Sequence, residues 1–280
     1  MPKTDLGQRL EIALQAAHAA GEVQREFYTR KLEIQTKSSN IDLVTQVDTA
    51  CDALIQETLL NRSREFELPV PQLLTEESFP PEAQTIDMEL DNVWIVDPLD
   101  GTTNYAHRFP HFAVSIAYME AGKPTIAVVY DTMKDETFTA VKDKGAFVNG
   151  KPLSVSSVDS LSQALLATGF PYDRYVKPER NLDYFKTFMG QCHGVRRAGS
   201  AALDLAYVAA GRLDGFWEMR LAPWDVAAGA LLVQEANGQT ADFVGKPLNF
   251  QQRYIDITAA SHPRLLAKIV EICKSASSDN

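Results

Sequence analysis

The chain has 280 residues, with 27 Lys and Arg against 37 Asp and Glu, five His, and 45% hydrophobic residues. The net charge of −10 argues against a general nucleic-acid binder, which needs basic patches to neutralise phosphates, and against docking on an anionic membrane. It leaves a small phosphorylated ligand open, because a bound cation inverts the sign of a carboxylate-rich pocket.

The length predicts one large domain or two moderate ones, big enough to need no disulfide staples. Cys51, Cys192 and Cys273 are odd in number and form no CxxC pair, so they read as incidental thiols of a reducing compartment. No apolar run approaches membrane-spanning length. Asp5, Arg9, Glu11, Glu22 and Arg25 interrupt the apolar positions of the N-terminus, which leaves no signal-peptide core. The expectation is a globular, cytoplasmic protein.

In chain order, Leu6, Leu10, Ala13, Leu14, Ala17, Ala20 and Phe27 recur near helical spacing and predict an opening helix. A second helix is expected over Thr45–Leu60. Leu73-Leu74 and Val93–Val96 read as buried strands that end in carboxylates. Phe112–Met119, Thr125–Tyr130 and Thr137–Val141 follow as an antiparallel meander, and Asn149-Gly150 signals a hairpin. Further strands are expected at Leu165–Phe170, Phe216–Met219 and Ile255–Ala259, with a helix at Leu182–Met189. Ser200 is placed to cap a helix that Gly211 ends, and Asp225 to cap one over Val226–Ala236. Pro263 sits in the first turn of a final helix. Strands in runs as well as between helices predict an α+β layered sandwich. The Ser-rich stretch near Ser154–Ser160 marks a boundary between an N-terminal α+β subdomain, 1–155, and a C-terminal α/β subdomain, 156–280.

The chemistry concentrates in Asp97-Pro98-Leu99-Asp100-Gly101-Thr102-Thr103-Asn104. Two carboxylates across a tight Pro-Leu turn can aim at one point, with the Leu99 carbonyl between them. Gly101 lets a ligand approach the backbone closely, and Thr102 opens a helix start whose free N–H groups favour an anion. Taken alone, Asp-Pro and Asp-Gly are also ordinary turn residues. The same holds for Glu76-Glu77 as solvated loop charges, Asp225 as a helix cap and Asp48 as a helix-start acid.

Together these blocks resemble the inositol monophosphatase family of metal-dependent, lithium-sensitive phosphatases. They are Lys37-Ser38-Ser39, Asp42–Thr45 with Asp48, Glu76-Glu77-Ser78, Trp94–Asn104, Gly145–Gly150, Arg197–Ala202, Glu218 and Trp224–Gly229, in family order across nearly the whole chain. Thr75, where the family often has Gly, and the loop from Phe79 to Asp91 with its Pro80-Pro81 are departures that remove no ligating side chain.

The resemblance implies a layered αβαβα sandwich with mixed and antiparallel sheets, with most metal ligands in 1–155 and the remainder of the site closed by 156–280. It implies that Glu76, Asp97, Asp100 and Asp225 ligate metal, with the Leu99 carbonyl, and that two or three Mg2+ ions are held per site. Hard oxygen donors without His or Cys suit Mg2+ better than Zn2+, and His107 and His111, with Pro110 between them, belong to rim or core. Glu76 and Thr102 would orient the attacking water, with Asp48 behind Thr102. Asp100, Gly101, Thr102, Gly199, Ser200, Ala201, Glu218 and Asp225 would contact substrate, and Lys37 matches a mobile-loop lysine near the site.

The implied substrate is inositol 1-phosphate. Fructose 1,6-bisphosphate, histidinol phosphate and a nucleotide 3′-phosphate remain open, with Arg196-Arg197, Arg174 and Lys177 available for a second anion. A non-catalytic binding module on this fold would be expected to lose one of Glu76, Asp97, Asp100, Thr102 or Asp225, and all five are present. A homodimer is a family expectation. Asp48, Glu76, Glu77, Asp97, Asp100 and Asp225 account for more than half of the net −10, so the acidic excess is assigned largely to one pocket.

Overall fold

A computed structural model of the chain describes residues 5–30, 34–36, 43–80, 83, 85–171 and 181–277. Lys37, Arg174 and Lys177 lie outside the described residues.

The outer layer begins with α1 (Asp5–Tyr28), which turns Ile12, Ala13, Ala16, Ala17 and Ala20 inward. That is the stripe of a one-faced helix, and its alanines let the neighbouring helix approach closely. A short ribbon of β1 (Ile34–Thr36) and β2 (Leu43–Thr45) leads into α2 (Gln46–Glu65). Thr45 is the N-cap, and Asp48 at N3 reaches back to it, accepting from the Thr45 backbone N–H at 2.8 Å and from its hydroxyl at 2.6 Å. This reciprocal box fixes where the helix starts.

Seven strands form the first sheet: β3 (Gln72–Thr75), β4 (Val93–Asp100), β5 (Ala113–Glu120), β6 (Lys123–Asp131), β7 (Glu136–Val141), β8 (Ala146–Val148) and β9 (Lys151–Pro152). β3 runs parallel to β4, and the rest is the expected antiparallel meander. The Asn149-Gly150 turn has φ of 47° and 75°, the left-handed pair that a two-residue hairpin demands. A one-turn helix, α3 (Thr102–Ala106), interrupts the path from β4 to β5.

The second sheet contains β10 (Leu165–Thr168), β11 (Gly194–Arg196), β12 (Gly215–Leu221), β13 (Gln239–Ala241) and β14 (Ile255–Ala260), in the order β11-β10-β12-β14-β13. β10 pairs parallel with β11 and β12, and β14 pairs antiparallel with β12 and β13. Helices α5 (Ala201–Ala209) and α6 (Pro223–Glu235) fill the space between the sheets, while α4 (Leu182–Met189) and α7 (Pro263–Ser277) cover the far face. The layers run helix, sheet, helix, sheet, helix, so the α+β sandwich holds, with both sheets mixed.

Three apolar clusters cement these layers. Ile12, Ile55, Trp94 and Tyr118 lie between α1–α2 and the first sheet. Ile95, Leu205, Leu231 and Phe216 lie between the sheets. Leu166, Trp217, Leu265 and Ile269 lie under α7. Each such side chain, fully buried, contributes about 1.5–3 kcal/mol. β4 is covered on both faces, which is why Val93–Val96 is a continuous apolar run rather than an alternating one.

Several element boundaries differ from expectation, among them the second helix, which runs on from Leu60 to Glu65. Asp225 is not the cap of its helix: α6 starts at Pro223, Ala222 is the N-cap, and Asp225 sits at N3. Proline is preset for the first helical position, so it moves the start three residues upstream. The strand expected to run to Phe170 ends at Thr168. β1, β2, β11 and β13, three residues each, are too short to show an alternating pattern.

Candidate active site

The centre of the site is the end of β4. Asp97 pairs with Ser115 and Asp100 with Ala113, so β4 carries one extra residue against β5. Such a bulge re-aims side chains beside a site. Asp97 Oδ1 accepts the Leu99 N–H at 2.9 Å, which curls the chain through Pro98 and holds both carboxylates on one turn. Gly101 follows with φ of 97°. A methyl group placed there would fall 3.1 Å from the His111 carbonyl and 3.3 Å from that of Gly199, so both the dihedral and the close approach require glycine. Thr102 then opens α3, and its hydroxyl donates to Asp48 Oδ1 at 2.8 Å, with the Leu99 carbonyl 3.1 Å away.

Other segments are tied to this turn by their own hydrogen bonds. The Glu76 N–H donates to the Val96 carbonyl at 3.1 Å, extending the β3–β4 ladder and carrying Glu76 beside Asp97. The Ser115 hydroxyl, opposite Asp97, donates to the Trp224 carbonyl at 3.1 Å and so fixes the start of α6. Asp225 Oδ2 accepts the Ala222 N–H at 2.6 Å. Asp100 Oδ2 accepts the Ser200 hydroxyl at 2.5 Å and the Ala202 N–H at 2.8 Å, which brings the start of α5 onto the end of β4. Asn104 clamps the same loops, donating to the carbonyls of His111 at 2.7 Å and Ala198 at 2.9 Å.

Glu218 on β12 rests over Gly169, where a methyl group would lie 2.0 Å from its Oε1. Strand β10 ends just before Gly169, where an added side chain would displace the Glu218 carboxylate. His111 is buried, with Nε2 lacking a partner among the described residues, and His107 is exposed. The expectation of core and rim is met, one residue to each.

The electrostatics single out this cluster. Asp97 is only 2% exposed. Burial drives its carboxyl well above the usual range, followed by the charges of Glu76, Asp100 and Asp225. Asp225 is raised in the same way by burial, then by Glu76 and Asp100. Burial pushes Asp100 up to about 6, against the pull of the Ser200 hydroxyl and the Ala202 N–H. Asp48 is raised by burial while the Thr45 and Thr102 hydrogen bonds oppose it. Glu218 rises to about 8, again through burial, with Arg197 opposing. Asp204 is a member that motif reading misses: buried on α5, it is raised by burial and then by the charge of Asp100. In sequence it is only an acid in a first helical turn.

The family model described as "Inositol monophosphatase family" matches residues 5–277. The chain belongs to that family. It is 45% identical over 238 residues to the Nus factor SuhB of Salmonella typhimurium, covering 84% of this chain and 85% of that protein. It is 41% identical over 246 residues to the inositol-1-monophosphatase of Synechocystis sp., covering 88% and 83%. The solved inositol monophosphatase from Anabaena (Nostoc) sp. superposes with a TM-score of 0.80 at 36% identity over 97% of each chain.

Family and structural neighbours indicate a metal-dependent phosphatase, and the residues present fit a hard divalent cation in kind. Carboxylates and carbonyls are the donors such ions take, and the acids here raise one another's proton affinity. Among the described residues, no three His, Cys, Asp or Glu side chains are already gathered as a closed ligand group. Asp48, Asp97, Asp100 and Asp225 are instead each turned toward a hydrogen-bond donor of their own. No helix among the described residues is long and apolar enough to cross a membrane.

Proposed function

We propose that this chain is a Mg2+-dependent phosphomonoesterase that hydrolyses inositol 1-phosphate and similar small polyol phosphates. The observation that supports the reading is the mutual influence of four acids, burial and the charges of Glu76 and Asp100 raising both Asp97 and Asp225, beside the turn whose Thr102 hydroxyl donates to Asp48.

Glu76, Asp97, Asp100, Asp225 and the Leu99 carbonyl would hold two or three Mg2+ ions. When bound, the metal offsets phosphate charge and lowers the pKa of water. The chain's own groups supply the rest. Asp48 takes the Thr102 hydroxyl hydrogen, leaving the Thr102 oxygen's lone pairs to accept from the attacking water, which Glu76 orients from the other side. The backbone N–H groups of Gly101 and Thr102 bind phosphate oxygens at the start of α3. Glu218, Gly199, Ser200 and Ala201 receive the polyol, a carboxyl group being well suited to neighbouring hydroxyls. The halves 1–155 and 156–280 act as one catalytic unit, because Asp225 and Glu218 come from the second and the other acids from the first.

Lithium sensitivity, a homodimer and a cytoplasmic location are parts of the same proposal, as is the absence of a nucleic-acid polymer or membrane among its partners. The relatives named Nus factor SuhB do not displace a catalytic reading, since Glu76, Asp97, Asp100, Thr102 and Asp225 are all in place here.

The test is phosphate release from inositol 1-phosphate, fructose 1,6-bisphosphate, histidinol phosphate and a nucleotide 3′-phosphate, with and without Mg2+ and Li+. Turnover is expected to require Mg2+ and to favour inositol 1-phosphate, and a flat panel overturns the substrate assignment. Asp97→Asn is expected to lose more than the ~100-fold that removal of a merely supporting partner costs. Wild-type turnover in that variant overturns the metal-ligand assignment.

A further inference from the structure

Glu76 and Asp225 belong to different halves of the chain, one on a turn after β3 and the other at the start of α6. A metal site that draws on both is held tightly only if something sets their separation before the ions arrive. The structure places a tilted aromatic pair across that gap. Phe79 closes the Glu76 turn, its N–H donating to the Thr75 carbonyl at 3.1 Å. Its ring lies 5.3 Å from that of Trp224, the residue immediately before Asp225.

Arg253 lies over this pair. Its Cζ is 4.8 Å from the Phe79 ring centre, 4.6 Å from that of Trp224 and 5.1 Å from that of Tyr254. The loop bearing Arg253 is itself anchored to the first half. The Ile86 N–H donates to the Gln251 carbonyl at 3.4 Å, the Gln251 side chain donates to the Met88 carbonyl at 3.1 Å, and Thr85 bridges to Gln252.

Nε and Nη1 of Arg253 are buried and have no hydrogen-bond partner among the described residues. Buried donors without acceptors are uncommon and need a reason. Here the ring faces stand in for acceptors, through cation–π and N–H···π attraction. A methionine would fill much of the same space without orphaned donors. What the guanidinium adds is a flat, rigid plate that registers the rings against one another.

We propose that Arg253 is a positioning residue for the metal site: its stack on Phe79 and Trp224 sets the spacing between the Glu76 turn and the Asp225 helix start, and through it divalent-cation affinity. This rests on the reading of Glu76 and Asp225 as ligands. Arg253 touches neither substrate nor the reacting atoms.

The experiment uses the full chain as wild type, Arg253→Met, Arg253→Lys and Phe79→Leu. Mg2+ is titrated against tryptophan fluorescence, and turnover is measured at saturating Mg2+. Arg253→Met and Phe79→Leu are expected to raise the half-saturating Mg2+ concentration roughly tenfold, the lower end for loss of a supporting group. Arg253→Lys, which keeps the charge but not the plate, is expected to fall short of full rescue. Substrate KM and saturated turnover stay at wild-type values. Wild-type Mg2+ affinity in the folded variants, with only the urea midpoint lowered, reduces Arg253 to a structural residue and overturns the inference alone. Phe79→Leu tests the stack from its other side should Arg253→Met fail to fold. A wild-type chain with no saturable Mg2+ response overturns the site reading itself, and the inference with it.

Discussion

Two aspartates of the same sheet are equally hidden and oppositely treated. Asp131, at the end of β6, is 0% exposed, and Asp97 on β4 is 2% exposed. Asp131 Oδ2 lies 2.7 Å from Lys134 Nζ and takes the Tyr207 hydroxyl at 3.3 Å, while Oδ1 accepts the Lys134 N–H at 3.0 Å. Asp97 receives one backbone N–H and faces Glu76, Asp100 and Asp225. Burying an unpaired charge is costly in free energy, and a paired one much less so. Asp131 is neutralised by its neighbour Lys134, whereas Asp97 faces further acids. That contrast separates the two carboxylates without any motif.

Substitution at the two positions should therefore act in opposite directions on stability. Asp131→Asn strands Lys134 and the Tyr207 hydroxyl. It is expected to destabilise by about 2 kcal/mol in urea unfolding, less than for a wholly buried pair because the Lys134 side chain is 44% exposed and solvent screens it. Asp97→Asn removes one charge from a self-repelling cluster and is expected to stabilise the Mg2+-free protein by about 1 kcal/mol. Adding Mg2+ should then invert the order, since binding raises wild-type stability by mass action and the variant binds poorly. If Asp97→Asn lowers the urea midpoint in chelator, the cluster is not under charge strain and the contrast with Asp131 fails.

The legible part of the molecule is the part governed by neighbours in sequence. α1 follows from its alanine stripe, β4 from an apolar run ended by carboxylates, the hairpin from Asn149-Gly150, and the cap of α5 from Ser200, whose hydroxyl accepts the Leu203 N–H. The acid blocks are legible because a strand end, a tight turn and a helix start each place a carboxylate by local rules. The role of Asp225 at N3 rather than the N-cap is a local rule misapplied, since Pro223 already marked the first turn. Asp204 and Arg253 are illegible for a different reason. Each is an ordinary residue in its own segment, and acquires meaning only from groups that the fold brings across from the other half: Asp100 for the first, Phe79 for the second.

The pH dependence of stability, of similar size per pH unit, sharpens the same contrast. Burial raises Glu218 to about 8, so between its unfolded and folded values the native state holds a proton that the unfolded chain has released. Stability should therefore fall as pH rises through this window, by about 1 kcal/mol between pH 7 and pH 8 in chelator. Glu136 on the scaffold is opposite in sign. Its hydrogen bonds to Arg212 hold it below its ordinary value, so its contribution is present at neutral pH and is lost as pH falls through the folded value. Glu218→Gln should lessen the alkaline slope, to which the raised Asp97, Asp204 and Asp225 also contribute, and leave the acid limb untouched, and Glu136→Gln should do the reverse. Thermal midpoints of the two variants and the wild type from pH 4 to pH 9 measure both slopes at once. An alkaline slope as steep in Glu218→Gln as in the wild type would mean that the strain resides in Asp97, Asp204 and Asp225 alone and that the Glu218 carboxyl is electrostatically quiet.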